Sequence, residues 1–232
     1  MTSAVSPSAY LSWSTGKDCA FALLEARRLG LADVVGVLTS LSQAYDRITH
    51  HGVRQSVLDR QLAALGLPCR KIFLPLPCSM ADYETIMTDV TLQIQAQGVT
   101  HIMFGDLFLE PLRLSRETKL ASVGMAGLFP LWKRDTAALA RAVIDSGMII
   151  HTVCVNASHL DASFVGRRFD YDFLASLPAG VDHCGENGEF HTVVSGGPMF
   201  DAPFPLQIGE VVIATATSSP TPSPANPYFF AA

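Results

Sequence analysis

Short apolar runs alternate along this chain with longer stretches in which apolar positions recur every three or four residues. The runs at 10–13, 34–39, 71–76, 101–104 and 128–132 read as strands, and the stretches at 19–29, 53–65, 81–97, 112–123 and 136–146 read as helices. Val57, Leu58, Leu62 and Leu65 hold helical spacing in the second of these helices, as do Ile86, Val90 and Ile94 in the third. Gly66 with Pro68, Gly98 and Gly147 supply the stop signals. Strands that are apolar along their whole length are buried on both faces, which a parallel sheet with helices on both sides provides. The expected fold is therefore α/β. Ligands of such sheets sit outside the carboxyl ends of the strands.

After 148 the texture changes. Strands are expected at 149–155, 190–194 and 207–214, separated by Gly- and Asp-rich short elements, so 148–214 reads as a smaller α+β lobe capping a larger domain at 9–147. Residues 1–8 read as a flexible leader, and the Ser/Thr/Pro-rich stretch at 215–232 as a tail without order.

Composition narrows the classes. A hydrophobic content of 49% in 232 residues supplies a substantial core, yet no apolar run approaches the roughly 20 residues of a membrane span. The N-terminus lacks a basic then apolar signal pattern, so a cytoplasmic location is expected. A net charge of -5 without a basic stripe argues against a nucleic-acid surface. The five cysteines are odd in number and form no C-x-x-C pair, which argues against a disulfide framework and a thiolate zinc site.

Candidate chemistry lies where strands end. Ser14-Thr15-Gly16-Lys17-Asp18-Cys19 joins a strand to a helix start, whose free N–H groups and dipole suit an anion. Its spacing is not that of a G-x-x-x-x-G-K-[ST] loop, and helix capping alone is a competing account. Gly105-Asp106-Leu-Phe-Leu-Glu110-Pro-Leu-Arg113 follows the fourth strand, with Arg116 one turn on. Asp182-His183-Cys184-Gly185-Glu186-Asn187-Gly188-Glu189-Phe-His191-Thr192 mixes acid, amide and imidazole, which suits polar recognition or proton transfer; a tight glycine turn accounts for the same residues. Arg54, after His50-His51-Gly52, is placed near the strand ends.

These residues also carry a resemblance. The 14–19 turn resembles the S-G-G-K-D-S loop of N-type ATP pyrophosphatases, whose fold is the Rossmann-like, HUP-type sheet of the adenine nucleotide alpha hydrolases. The strings at 51–54, 105–110 and 185–192 narrow it to the diphthine–ammonia ligase family and its prokaryotic relatives. The resemblance implies a ligase that adenylates a carboxylate with ATP and Mg²⁺ and lets ammonia displace AMP. It implies that Ser14, Thr15, Gly16, Lys17, Asp18, Cys19, Thr39, Ser40 and Gly105 bind nucleotide, with Asp18 on the metal. Lys17, Asp18, Glu186, Glu189 and His191 become the catalytic set, and Arg54, Asp106, Glu110, Arg113 and Asn187 the substrate-binding set. The partners implied are ATP, ammonia and an unidentified carboxylate acceptor, with no membrane; a homodimer is left open. Thr15 and Cys19 stand where the family loop carries Gly and Ser. That departure keeps open a regulatory nucleotide-binding protein with weakened catalysis, beside a tRNA-modifying pyrophosphatase.

Overall fold

In the computed structural model, which describes residues 6–49, 52–215 and 227–231, alternate residues of each central strand feed two different cores. Val37 faces one side of the sheet with Leu11, Trp13 and Met103, whereas Leu38 faces the other with Ile72, Leu74, Ile102 and Phe104. That two-sided burial is why the strands are apolar throughout.

Five strands run parallel: β1 (Ser8–Ser12), β2 (Asp33–Ser42), β4 (Cys69–Leu74), β5 (His101–Met103) and β6 (Ala126–Leu128). β4 pairs with β2, β2 with β1, β1 with β5 and β5 with β6. The short β3 (Arg47–Ile48) folds back antiparallel on Leu41 and Ser42, and was not expected from sequence because two residues carry no period. Helices α1 (Lys17–Leu29), α2 (Gln55–Leu65) and α5 (Thr136–Asp145) pack into the first core through Phe21, Leu23, Leu58, Leu65, Leu139 and Val143. Helices α3 (Met80–Gln95) and α4 (Glu110–Ser122) close the second core with Val90, Ile94 and Leu120. Gly30 and Gly66 end α1 and α2 in the left-handed conformation, and Ser79 with Asp82 forms a capping box at the start of α3.

A second sheet is antiparallel in the order β8-β7-β10-β9, built from β7 (Ile149–Asn156), β8 (Phe190–Gly196), β9 (Val211–Thr215) and β10 (Pro227–Ala231). A 3₁₀ turn at Ala162–Phe164 and helix α6 (Tyr171–Ser176) connect β7 to β8. The first core continues without interruption into this lobe through Ile150, Val155, Phe173, Phe190 and Val193.

The α/β reading agrees with the structure, and two local expectations do not. The strand expected at 128–132 ends at Leu128, because Pro130 has no N–H to give a ladder and Lys133 turns left-handed at φ 58°. The chain read as an unordered tail from 215 contains β10, whose Tyr228, Phe229 and Phe230 pair with Asn156, Val155 and Cys154 of β7. The Ser/Thr/Pro bias concealed a short apolar segment that pairs only through contacts distant in sequence. His50 and His51, which precede Gly52 and Arg54, lie outside the described residues.

Candidate functional site: a cleft at the strand ends

β1 hands over to α1 through a turn that leaves the sheet abruptly. Trp13 still pairs with β2, its N–H donating to the Leu38 carbonyl at 2.8 Å. Thr15 then adopts φ 71°, fully buried, and Gly16 returns to extended geometry as the N-cap of α1. No side chain of the turn caps the helix. The cap comes from the other sheet: the Lys17 N–H donates to Thr192 Oγ1 at 3.1 Å. Val194 of β8 donates its N–H to the Thr15 carbonyl at 3.0 Å, so the edge of β8 is docked directly on the turn. The Thr39 hydroxyl donates to the Trp13 carbonyl at 2.8 Å and fixes the turn's root from β2.

Gly105 explains itself by contact. A Cβ there would lie 2.8 Å from the Asp18 carbonyl carbon and 2.9 Å from the Cys19 nitrogen. The chain after β5 therefore passes against the first turn of α1, which only glycine permits.

Lys17 is buried and its ammonium already has partners. It donates to Asp18 Oδ2 at 2.9 Å and to the carbonyl of Cys184, and it lies 5.5 Å from the Phe190 ring centre. Burial opposes its charge most, but Asp18, Cys184 and Glu186 together outweigh that and hold its pKa above the usual lysine range. Asp18 keeps its other oxygen, Oδ1, buried and without a hydrogen-bond partner. Cys19 donates to the Gly16 carbonyl at 3.1 Å and accepts from Ser14 Oγ at 3.5 Å. Burial pushes its thiol up to about 11, so the residue stays neutral.

The 180–189 loop faces the turn. Glu189, buried, spends its carboxylate on that loop: it accepts from the N–H of Asp182 (3.0 Å), the N–H of Asn187 (2.9 Å) and the Asn187 amide (3.1 Å). Asp182 in turn accepts from the N–H groups of Cys184 (2.9 Å) and Glu186 (3.2 Å). The loop so held presents Glu186, which accepts from the Leu107 N–H at 3.1 Å. Burial first, and then the nearby charge of Asp18, raise the Glu186 carboxyl to about 7. Asp106 is likewise raised by burial, partly offset by Arg116 at 2.9 Å. The Arg116 guanidinium lies over the Phe104 ring, 4.1 Å from its centre.

These groups share one cleft of about 990 Å³ at the carboxyl ends of β1, β2, β4 and β5. Ser14, Lys17, Asp18, Cys19, Thr39, Ser40, Gly105, Asp106, Glu186 and His191 all line it. Its far end is apolar, floored by Ile72, Leu74 and Ile102 beneath α3 and α4. Other expected residues sit elsewhere. Thr15 and Gly16 shape the turn from behind, and Glu189 and Asn187 hold the loop together. Arg54 is exposed at the start of α2, and Glu110 pairs at the surface with Lys133 (2.9 Å). Arg113 reaches back to Glu117 and lies against Phe129 and Trp132. Sequence reasoning missed Gln61, since a glutamine on an amphipathic helix gives no warning that it is fully buried.

A divalent cation fits this donor set. Among the described residues no group of three His, Cys, Asp or Glu side chains is arranged to hold a metal. Mg²⁺ asks for less, since it commonly takes one or two carboxylates and completes its shell with water and phosphate oxygens. Asp18 Oδ1, the orphaned buried acceptor, is the residue that would meet it. Among the described residues no helix is long and apolar enough to cross a membrane.

Sheet order, helix layers and a cleft beside the first strand–helix turn define a Rossmann-like α/β protein with its cleft at the strand ends. The sequence model of the diphthamide synthase C-terminal domain matches residues 135–214. The diphthine–ammonia ligase of Danio rerio is 26% identical over 226 residues, covering 86% of each chain. The human diphthine–ammonia ligase is 25% identical over 187 residues, covering 75% of this chain and 69% of its own. Over most of its length the chain is thus similar to diphthine–ammonia ligases, and its C-terminal part to the diphthamide synthase C-terminal domain.

Proposed function

We propose that this protein is an ATP-dependent, AMP-forming ligase that converts a carboxylate into an amide with ammonia. One observation carries the reading: the anion-ready turn at Ser14–Asp18 and the acid at Glu186 face each other across a single cleft. The triphosphate would lie against the α1 N-terminus, with the purine in the apolar end near Leu38, Ile72 and Phe104 and the ribose near Ser40. Asp18 would hold Mg²⁺, which would neutralise phosphate charge.

A carboxylate is a poor acyl donor, and its mixed anhydride with AMP is a good one. In the first step an acceptor oxygen bonds the α-phosphorus, the bond to the bridging oxygen breaks, and pyrophosphate leaves. In the second, ammonia bonds the acyl carbon, AMP departs, and nitrogen gives up a proton. Glu186, with a carboxyl near 7, is matched to take that proton at neutral pH. Lys17 and Arg116 supply positive charge beside the reacting phosphate. His191, also on the wall, faces the acceptor side.

ATP–pyrophosphate exchange tests the reading, with AMP release on adding candidate carboxylates and ammonium. Formation of ADP in place of AMP would sink it. A second reading, a nucleotide-binding regulatory protein, is favoured by Cys19, a neutral thiol where the family loop has a hydroxyl. Tight ATP binding without turnover, converted to turnover by Cys19→Ser, would mark an altered catalyst rather than a missing acceptor.

A further inference from the structure

The turn at Thr15 carries a backbone conformation that a β-branched residue adopts only under constraint. Its hydroxyl gains nothing in return, being buried without a hydrogen-bond partner. Something outside the turn must hold it. One fully buried side chain reaches it from α2: Gln61. The Gln61 amide nitrogen donates to the Thr15 carbonyl at 2.9 Å and to the Val194 carbonyl at 2.6 Å. Its oxygen accepts from Trp13 Nε1 at 2.9 Å. One amide thus joins the end of β1, the turn and the edge of β8, and Val194 returns a second bond to Thr15 from its own N–H. No hydrocarbon side chain can satisfy two carbonyls and an indole N–H at once.

We propose that Gln61 is the positioning residue of the turn: it holds Thr15 left-handed, so that Ser14, Gly16 and the first N–H groups of α1 keep the shape that receives phosphate. Gln61 does not line the cleft. This rests on the reading of the turn as the ATP phosphate site. It also accounts for the departure at position 15. Gly needs no such clamp, because it takes positive φ without penalty; Thr does.

The test is a cycle of variants read by equilibrium binding of ATP with Mg²⁺. Gln61→Met, of similar length without donors, is expected to weaken binding about tenfold or more in protein that remains folded by circular dichroism. Gln61→Glu keeps the acceptor for Trp13 and loses the paired donors, and is expected to do the same. Adding Thr15→Gly to either should restore most of the lost affinity, a rescue that a purely structural role would not give. Unchanged affinity in both single variants overturns the proposal, and so does a loss that Gly at 15 leaves uncorrected. Two variants that fail to fold even with Gly at 15 overturn it too, since Gln61 would then serve the core at large. A second readout separates this claim from the ligase reading. Without nucleotide, Gln61→Met should speed hydrogen exchange at the Lys17 and Val194 amides while leaving those from Ala20 onward in α1 unchanged. If the wild-type protein does not bind ATP, the ligase reading fails, and the exchange result alone decides for or against Gln61.

Discussion

Single residues here carry costs that their neighbours offset. Thr15→Gly removes a left-handed Thr, worth about 1–2 kcal/mol, and adds about 0.5–1 kcal/mol of unfolded-chain entropy. The variant should therefore be more stable by about 0.5–1 kcal/mol, read as a higher urea midpoint; a lower midpoint would mean that the orphaned hydroxyl has a partner in solution. Glu186 gives a pH signature. Its folded carboxyl titrates near 7 against an ordinary 4.5, so between those values the folded state holds the proton the unfolded chain has released. Stability should fall as pH rises across that window, by about 2 kcal/mol after allowing for partial exposure, and Glu186→Gln should flatten the slope. At this scale the sequence was half legible. Asp18, Glu186 and Gly105 announce themselves by type and place in a strand-end motif. Glu189 looks identical to Glu186 in sequence, and only the fold turns one carboxylate onto its own loop and the other into the cleft.

Elements met at their ends make the site, and the ends are where substitution should tell. Gly105→Ala pushes a Cβ into the first turn of α1, and the expected cost is about 1–3 kcal/mol of stability with weaker nucleotide binding, measured by thermal melting with and without ATP. A variant that melts like wild type would show that the two segments separate easily. Glu189→Gln keeps the size but weakens its hydrogen bonds to the loop N–H groups, so the loop should open to limited proteolysis while β7 and β8 stay protected. Strong periodicity made the helices legible: α2 ends at Leu65 before Gly66, as the apolar spacing and the glycine stop predict. Boundaries set by partners were not. α1 begins at Lys17 because Thr192, far along the chain, takes its first N–H. β6 stops at Leu128 because Pro130 follows.

For the whole molecule, β10 is the least legible element and among the most consequential. It lies between β7 and β9, so removing 227–231 leaves β9 without a neighbour in the sheet and β7 with an open edge. That truncation should lower the melting temperature by several degrees and promote association through the bared edge, detected by light scattering; a variant as stable and monodisperse as the full chain would restore the tail reading. Both sheets share one core, and the ammonium of Lys17 is common property of the two. Phosphate bound in the turn, as proposed, would compete with the Cys184 carbonyl of the opposite loop for that one cation. Occupancy of the cleft and order of the 180–189 loop would then be thermodynamically linked, and linkage is reciprocal: whatever ATP did to the loop, a molecule gripping the loop would do to ATP affinity by the same factor. A protein wired this way would register at one end of its cleft whether the other end is filled.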